Sequence, residues 1–198
     1  MAVLRSQGVR FMFNTAVNSL AVEHGAVFAA NTACDAVEAD QFVMAMGAAS
    51  TAITRRLGIH LPIYPLKGYS ITVDVGGTSA LAPKVSVTDS ARKVVFARIG
   101  SRLRVAGMVE LAGNSTAIAQ AQIDSLAATT KAVFPDCGDF SQISAWAGLR
   151  PATPSAMPLI GWHPKAPRNL IFNVGHGALG FTLAFGSAGR VCQLLARA

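Results

Sequence analysis

Apolar positions change their spacing several times along the first 60 residues, and each spacing predicts an element. The first eight residues indicate the end of a helix that stops at Gly8. Residues 42–46 form an apolar run without alternation, which is typical of a strand buried on both faces. Gly47 and small residues follow this run and lead into a short helix that ends at Arg56. The predicted strands are residues 9–14, 17–22, 26–30 and 42–46, of which the second and third form a hairpin.

The middle of the chain has the short alternating runs of an antiparallel sheet. A proline-bounded segment at residues 61–65 predicts a crossing between domains before this sheet begins. Residues 115–134 have apolar positions near helical spacing and predict an amphipathic helix that ends at Pro135. The predicted strands of this sheet are residues 69–75, 84–88, 94–98, 103–106 and 142–146.

The last fifty residues have a different character. Prolines concentrate in residues 149–161 and predict a fixed loop, and residues 169–174 predict another buried strand. A glycine-rich loop then opens a final helix over residues 181–197. We therefore expect three segments in two domains, with a first domain at 1–62, an antiparallel domain at 63–147 and a return to the first domain at 148–198.

The composition narrows the class of protein. Apolar residues make up 52% and charged residues 14%, well below the roughly 25% of an average soluble domain. The mean hydropathy of +0.42 indicates that the chain buries surface against something else, and it excludes intrinsic disorder. The three cysteines form no CxxC pair and predict free, buried thiols in a reducing cytoplasm. The first ten residues do not resemble a signal peptide, and the chain has no window long enough for a transmembrane helix.

The net charge of +7 is compatible with three kinds of partner: nucleic acid, an anionic membrane surface and an anionic substrate. Part of the excess lies in a predicted hairpin that turns at residues 99–101, and alternation would put its basic side chains on one solvated face. The sequence has no zinc-finger, helix-turn-helix or RNP pattern, so we expect no nucleic-acid partner. The four histidines have no metal-ligand spacing, so we expect no metal. The clustered basic residues are Arg92, Lys93, Arg98, Arg102 and Arg104.

Four segments, taken in order, resemble a known family. They are ADQFVMAMGAAS at 39–50, PLKGYSI at 65–71, WAGLRPATPSAMPLIG at 146–161 and NVGHGALGFT at 173–182. They are similar to motifs of the FAD-dependent amine oxidoreductases of the D-amino-acid oxidase and glycine oxidase group, and within it to bacterial D-amino acid dehydrogenases. Each motif is weak by itself, and their order and spacing carry the resemblance.

The resemblance implies FAD as the cofactor and a D-amino acid as the substrate, oxidised by hydride transfer from Cα to flavin N5. Family members begin with a Rossmann unit whose GxGxxG motif binds the FAD pyrophosphate, and no such motif occurs in this sequence. We therefore expect an α+β and α/β fold in which an antiparallel substrate-binding sheet with a helix is flanked by the C-terminal remainder of a Rossmann-like FAD-binding domain. On this expectation the chain corresponds to the C-terminal half of a family member. It would be a truncated fragment, a split-gene product or a domain that needs a partner, and the candidates for that partner are a missing N-terminal half and a second copy of the chain.

The resemblance also assigns roles to residues. Arg150 matches the arginine that binds the substrate carboxylate, and Tyr69 and His176 are candidates for shaping the pocket or moving protons. We expect Gly175, Gly177 and Gly180 to present backbone N–H groups at a helix N-terminus, where negative charge on a reduced flavin is stabilised. The predicted cofactor-binding residues are Gly47, Ala48, Lys67, Gly175, His176, Gly177, Ala178, Leu179, Gly180, Phe181 and Thr182.

Simpler interpretations stay open for several of these residues. Arg150 could hold its own proline-rich loop, Tyr69 could be a packed aromatic, Lys67 a solvated lysine and His176 a hydrogen-bonding residue of its loop. The family usually has Asp-Gly where this chain has Ser155-Ala156, and Ser-Ala does not suit a tight turn with positive φ.

Two further functions stay open beside the D-amino acid dehydrogenase. One is an inert remnant or a partner-dependent half of a split flavoenzyme, and the other is an oxidase of glycine, sarcosine or similar amines. The family resemblance also implies electron transfer to a quinone at the membrane. The basic hairpin would then touch anionic lipid on the inner face of the plasma membrane.

Overall fold

The computed structural model describes residues 1–78 and 81–197. The chain forms two compact units: unit 1 comprises residues 1–62 and 157–198, and unit 2 comprises residues 63–156. The helices are α1 (Ala2–Ser6), α2 (Ser50–Arg56), α3 (Gln120–Val133) and α4 (Ala184–Leu195). The strands are β1 (Val17–Glu23), β2 (Ala26–Thr32), β3 (Ala36–Glu38), β4 (Phe42–Met44), β5 (Tyr64–Asp74), β6 (Val87–Asp89), β7 (Val94–Ile99), β8 (Arg102–Glu110), β9 (Asp139–Ala152), β10 (Leu159–Gly161) and β11 (Leu170–Val174).

Unit 1 contains two three-stranded sheets, ordered β1-β2-β3 and β10-β11-β4. The β1–β2 hairpin turns at His24 and Gly25, both with positive φ, which suits the right-handed twist of the strands. Asn169 links the two sheets: its amide donates to the carbonyls of Val27 and Asp40 at 2.7 and 2.9 Å. Its Oδ1 accepts the Val27 N–H at 2.8 Å. One buried amide therefore fixes the entry of β11 beside β2.

Unit 2 is a five-stranded antiparallel sheet in the order β6-β7-β8-β5-β9. Because successive side chains of a strand point to opposite faces, β5 divides into two sets of residues. Tyr69, Ile71 and Val73 lie in the main hydrophobic core together with Ile123 and Leu126 of α3, and we call this side the core face. The alternate residues of β5, from Leu66 to Thr72, lie on the other side with their partner Arg150 of β9, and we call it the arginine face.

The antiparallel sheet, the β1–β2 hairpin, α2 and the buried strand β11 confirm the corresponding predictions. The prediction of a strand at residues 9–14 is wrong. In the described residues this segment pairs with no strand, and Asn14 has a φ of 54°. Alternation alone does not make a strand when no neighbour accepts its backbone hydrogen bonds.

Several boundaries also differ from the prediction. Strand β9 extends from Asp139 to Ala152, through the expected domain boundary at 147–148 and into the expected proline-rich loop. It can do so because Pro151 lies on an edge strand, where a missing N–H is tolerated. Helix α3 begins at Gln120 instead of residue 115, since the Ser115 hydroxyl accepts the N–H of Ala117 and competes with the helix.

Three expectations about burial and sheet faces are wrong in whole or in part. Strand β4 is not buried on both faces, because Val43 is 42% exposed. Of the three free cysteines only Cys137 is buried, and burial raises the pKa of its thiol. The basic hairpin turns at Gly100 and Ser101 as expected, but its arginines do not share one face. Arg98 has the same parity as the buried Phe96, whereas Arg104 pairs with Ala97 on the other side.

The turn at Ser155-Ala156 keeps the backbone conformation that Asp-Gly would favour. Ala156 has a φ of 59°, and its N–H donates to the Thr153 carbonyl at 3.1 Å. An alanine therefore adopts the left-handed conformation at this position, at a cost of about 1 kcal/mol relative to an ordinary backbone conformation. None of the helices within the described ranges has the length and apolar character that crossing a bilayer requires.

Candidate functional site

Arg150 lies near the end of β9, where it pairs with Leu66 of β5 on the arginine face. Its guanidinium lies over Gly68, and a Cβ atom at that position would overlap it. The Nη1 group donates to the Met108 carbonyl at 3.1 Å. Partial burial lowers the pKa of Arg150, and within residues 1–78 and 81–197 no carboxylate forms a salt bridge with it. A half-buried guanidinium without an anionic partner is suited to binding an external carboxylate.

Aromatic and polar groups surround Arg150 on the same face. The Trp146 ring extends along β9 over Gly148, again into the space that a side chain would fill, and Trp146 is 54% exposed. The guanidinium of Arg104 lies 5.3 Å from the centre of this ring. Ser70 pairs with Trp146, and its buried hydroxyl has no hydrogen-bond partner in the described chain. The arginine face therefore combines a cation, an aromatic surface and an unsatisfied hydroxyl.

The core face next to these residues holds a closed polar cluster. The Tyr69 hydroxyl donates to Glu110 Oε2, and Lys67 Nζ lies 3.4 Å from the same oxygen. Lys67 Nζ is also 5.0 Å from the centre of the Tyr69 ring. The hydrogen bond from Tyr69, followed by the contact with Lys67, lowers the pKa of Glu110. The hydrogen bond with Tyr69 and then the contact with Glu110 raise the pKa of Lys67, against the opposing effect of burial.

The structure therefore separates residues that the sequence grouped into one site. Arg150 lies on one face of the sheet, whereas Tyr69 and Lys67 lie on the other. Tyr69 is 1% exposed and belongs to the core, as the packed-aromatic interpretation would have it. The interpretation of Lys67 as a solvated lysine is wrong, because its side chain is only 4% exposed and is paired with Glu110.

The other predicted site residues lie in unit 1, after two neighbouring parallel strands. Strands β4 and β11 pair in parallel, with Phe172 opposite Met44. Gly47 and Ala48 follow β4 as a 3₁₀ turn, and the glycine-rich segment 175–182 follows β11. The carboxyl ends of parallel strands meet at one edge of a sheet, which is where open α/β sheets bind ligands. The topology therefore brings both predicted cofactor segments to the same edge.

The backbone conformation of three of these glycines is one that favours residues without a Cβ atom. Gly47, Gly175 and Gly177 have φ values of 57°, 81° and 55°. Gly180 has a helical backbone conformation and α4 begins at Ala184, so the glycines precede the final helix by several residues, and their presentation of N–H groups to a flavin stays a prediction. A short 3₁₀ turn intervenes because the Leu179 N–H donates to the His176 carbonyl at 3.0 Å.

His176 connects this segment to the helix that follows. Its Nε2 is 2.9 Å from the hydroxyl of Ser187 on α4. The contact fits the hydrogen-bonding interpretation of His176 and leaves its predicted part in proton transfer untested. Beyond it, the side chains of the segment are open: Phe181 is 96% exposed, and Ala178, Leu179 and Thr182 are also exposed.

These residues fit the isoalloxazine end of FAD. The loops present backbone without side chains at Gly47, Gly175 and Gly177, and exposed apolar side chains lie beside them. Two buried polar atoms, Ser50 Oγ next to the first loop and Asn173 Oδ1 next to the second, have no hydrogen-bond partner among residues 1–78 and 81–197. Groups of this kind suit a flat heteroaromatic ring with hydrogen-bonding edges. No cluster of metal-ligating side chains occurs within the described residues.

Comparison with known families finds a match over nearly the whole chain. The DAO family, described as FAD dependent oxidoreductase, matches residues 1–194. The chain belongs to the DAO family. Members of this family depend on FAD.

Curated relatives in the family are D-amino acid dehydrogenases. The D-amino acid dehydrogenase of Vibrio vulnificus (strain CMCP6) is 41% identical over 191 residues, covering 96% of this chain and 45% of the relative. D-amino acid dehydrogenase 2 of Ralstonia nicotianae is 46% identical over 196 residues, covering 96% and 46%. The chain thus spans about half the length of the curated relatives it matches.

Solved structures show the same fold. Glycine oxidase from Bacillus cereus superposes with a TM-score of 0.76 at 22% identity, over 92% of this chain and 50% of that one. L-proline dehydrogenase from P. horikoshii superposes with a TM-score of 0.82 at 17% identity, over 98% and 52%. At these identities the likeness shows the DAO-family fold, a mixed α and β fold with antiparallel sheets.

Two residues of this site had no signal in the sequence. Glu110 lies outside the four motifs, and its contacts depend on the pairing of β8 with β5. Met108 contributes a carbonyl oxygen, which any residue type could supply. Gly68 and Trp146 lie inside the motifs quoted above. Only the strand register shows that the Arg150 guanidinium occupies the space above Gly68 and that the Trp146 ring occupies the space above Gly148.

Proposed function

We propose that this chain provides the substrate-binding sheet and the flavin-facing loops of a FAD-dependent dehydrogenase that converts D-amino acids to 2-oxo acids and ammonia. The observation that supports this most is Arg150, a half-buried guanidinium without a carboxylate of its own on the arginine face. FAD, when bound, supplies the acceptor for the hydride that leaves the substrate Cα.

The chain's own residues would bind and orient the substrate. Arg150 has five N–H donors and uses one on the Met108 carbonyl, so two parallel hydrogen bonds to a substrate carboxylate remain available. The Trp146 ring offers an apolar surface for the substrate side chain, and the Ser70 hydroxyl offers a polar contact to the same molecule. Gly68 keeps the backbone beneath the guanidinium free of side-chain atoms, which permits this arrangement.

The test begins with the purified chain incubated with excess FAD and then desalted. We expect a retained flavin absorption spectrum that D-alanine bleaches anaerobically and L-alanine does not. Arg150→Lys should raise KM for D-alanine by about a hundredfold, because a lysine cannot replace two parallel hydrogen bonds. Arg92→Lys is the matched control, since Arg92 is exposed and pairs only locally with Asp89 at 2.6 Å.

The other outcomes separate the competing functions. Bleaching by glycine or sarcosine with rapid peroxide release would indicate an amine oxidase instead. A colourless chain that gains activity when mixed with the N-terminal part of the Vibrio vulnificus relative would indicate a partner-dependent half. A colourless chain without such rescue would overturn the proposal in favour of an inert remnant.

The electron acceptor forms a separate part of the proposal. We expect a quinone acceptor and contact of the β7–β8 hairpin with anionic lipid through Arg102 and Arg104, which share a face. Sedimentation with vesicles of phosphatidylglycerol, compared with vesicles of phosphatidylcholine, measures this contact. Equal sedimentation with both would rule out the lipid contact and leave the dehydrogenase proposal in place.

A further inference from the structure

We infer that Glu110 is a positioning residue that holds Arg150, through a bulge at Met108, in the orientation that binds a substrate carboxylate. This inference rests on the proposed function, in which Arg150 is the carboxylate anchor. It concerns Glu110, Tyr69 and Lys67, which cluster on the core face, opposite to Arg150.

The first step is the bulge in the pairing of β5 with β8. Lys67 pairs with Glu110 and Tyr69 pairs with Gly107, so two steps along β5 match three steps along β8. Met108, inside this bulge, has a φ of 65°, a left-handed conformation that is unfavourable for a residue with a Cβ atom. The surroundings must therefore impose this conformation.

The bulge lets Met108 contact both faces of the sheet. Its side chain packs against the hydrophobic core, while its carbonyl oxygen accepts the Nη1–H of Arg150 at 3.1 Å. Within the described chain this is the hydrogen bond that the Arg150 side chain makes to the protein. The direction of the Met108 carbonyl therefore determines how the guanidinium plane is turned, and a planar guanidinium binds a carboxylate in its own plane.

Glu110 fixes the strand on the far side of the bulge. Tyr69 donates a hydrogen bond to its carboxylate and Lys67 lies 3.4 Å away, and both partners are buried residues of β5. A slip of β8 by one residue would carry the Glu110 side chain to the other face of the sheet and break both contacts. The two contacts hence maintain the register in which the Met108 carbonyl meets Arg150.

Two pairs of variants test the side-chain contacts of Glu110 and the backbone conformation of Met108 separately. Glu110→Ala removes both contacts, whereas Glu110→Gln keeps an acceptor for Tyr69 and loses the ion pair. Met108→Val disfavours positive φ strongly, whereas Met108→Gly accommodates it and keeps the carbonyl. Asp89→Asn is the matched control, because it removes the carboxylate of a second ion pair among the described residues of unit 2, between Asp89 and Arg92.

The primary readout does not depend on activity. The ¹⁵N NMR signal of the Arg150 Nε–H group, assigned by its loss in Arg150→Lys, reports the environment of the guanidinium in the 198-residue chain. We expect Glu110→Ala and Met108→Val to shift this signal, and Met108→Gly to leave it in place. Titration with pyruvate, a 2-oxo acid, measures carboxylate binding to the same variants.

We expect Glu110→Ala and Met108→Val to weaken pyruvate binding about tenfold, as the loss of one oriented hydrogen bond would. In the FAD-loaded protein KM for D-alanine should rise by the same factor while kcat changes less, and Glu110→Gln should fall between Glu110→Ala and the unaltered chain. Asp89→Asn should leave pyruvate affinity, KM and kcat within about twofold of the values for the unaltered chain.

Each contrary result has one meaning. An unshifted Arg150 signal in Glu110→Ala and Met108→Val overturns the positioning role, and so does an equal shift in Met108→Gly and Met108→Val. If Arg150→Lys leaves pyruvate binding unchanged, the proposed function fails, and the NMR signal still decides whether Glu110 orients Arg150. If Glu110→Ala does not fold, Glu110→Gln and the Met108 pair carry the same test.

Discussion

The two faces of the sheet in unit 2 are built from the same strands and have opposite properties. On the core face, Tyr69, Ile71 and Phe96 are almost fully buried, and the one ion pair is tied to the tyrosine hydroxyl. On the arginine face, Arg150 has no carboxylate partner among the described residues, and Ser70 Oγ has no hydrogen-bond partner there. The core face pairs its polar groups within the chain, and the arginine face holds the guanidinium and the hydroxyl that the proposed substrate would contact.

This difference shows that neighbouring residues of one short motif have different structural roles. In the segment from Lys67 to Ser70, alternate residues belong to different faces because side chains of a strand alternate with a period of two. Lys67 and Tyr69 stabilise the sheet, and Gly68 and Ser70 shape the surface on which Arg150 lies. Substitutions at Gly68 or Ser70 should therefore change binding directly. Substitutions at Lys67 or Tyr69 should change stability and should affect binding only through Glu110.

The largest expected effect is the loss of stability when a buried side chain of the core face is truncated. Phe96→Ala removes a buried ring that packs edge-on against Phe134, at 5.2 Å between ring centres. It should lower the free energy of unfolding by about 3–5 kcal/mol, measured by urea denaturation. Val95→Ala, the next residue on the opposite side of β7, should cost less than about 1 kcal/mol. Equal losses at both positions would show that the two faces do not differ in packing.

The next effect concerns binding on the arginine face. Gly68→Ala places a Cβ atom in the space of the Arg150 guanidinium. The guanidinium is the far end of a flexible side chain, so it should move away and weaken pyruvate binding by about ten- to a hundredfold with little loss of stability. Gly186→Ala in α4, where the space is open, should leave binding unchanged and raise stability by about 0.5–1 kcal/mol. Unaltered binding in Gly68→Ala would contradict the position of Arg150.

The pH dependence of stability should separate the two ion pairs. Glu110 has a lowered pKa, so its contribution is present above its usual value of 4.5 and is lost as the pH falls. Lys67 has a raised pKa, so its contribution is present below its usual value of 10.5 and is lost as the pH rises beyond it.

Urea midpoints between about pH 3 and about pH 11 measure both limbs of this dependence. Glu110→Gln should make the acid and alkaline limbs shallower, although the Tyr69 contact preserves part of the alkaline limb. Asp89→Asn should change the acid limb alone, because Arg92 lowers the pKa of Asp89. An alkaline limb unaffected by Glu110→Gln would mean that Lys67 gains nothing from Glu110.

The smallest effect should come from Arg104, a half-buried cation on the arginine face. Arg104→Gln removes the guanidinium that lies 5.3 Å from the Trp146 ring. We expect a loss of about 0.5–1 kcal/mol in unfolding free energy and a change in Trp146 fluorescence. Arg102→Gln, an exposed neighbour on the same face, is the control and should leave the fluorescence as it is. The reverse order of the two variants would place Trp146 against the wrong arginine.

The amino-acid sequence by itself determined the local elements and the family. Period-two alternation gave most strands of unit 2, glycine and small residues marked the two loops after β4 and β11, and four motifs in order pointed to the DAO family. These signals are local, because each depends on the side chains of a few consecutive residues. Where an element needed a partner to exist, as at residues 9–14, the local pattern misled.

The tertiary structure alone decided how the site is divided. The register of β5 against β8 and β9 separates Arg150 from Tyr69, buries Lys67 beside Glu110 and creates the bulge that turns the Met108 carbonyl toward Arg150. A shift of one residue would exchange the two faces of a strand, and no motif in the sequence records that register. The residue types at the site are local information, but the face on which each lies depends on contacts between residues about 40 positions apart.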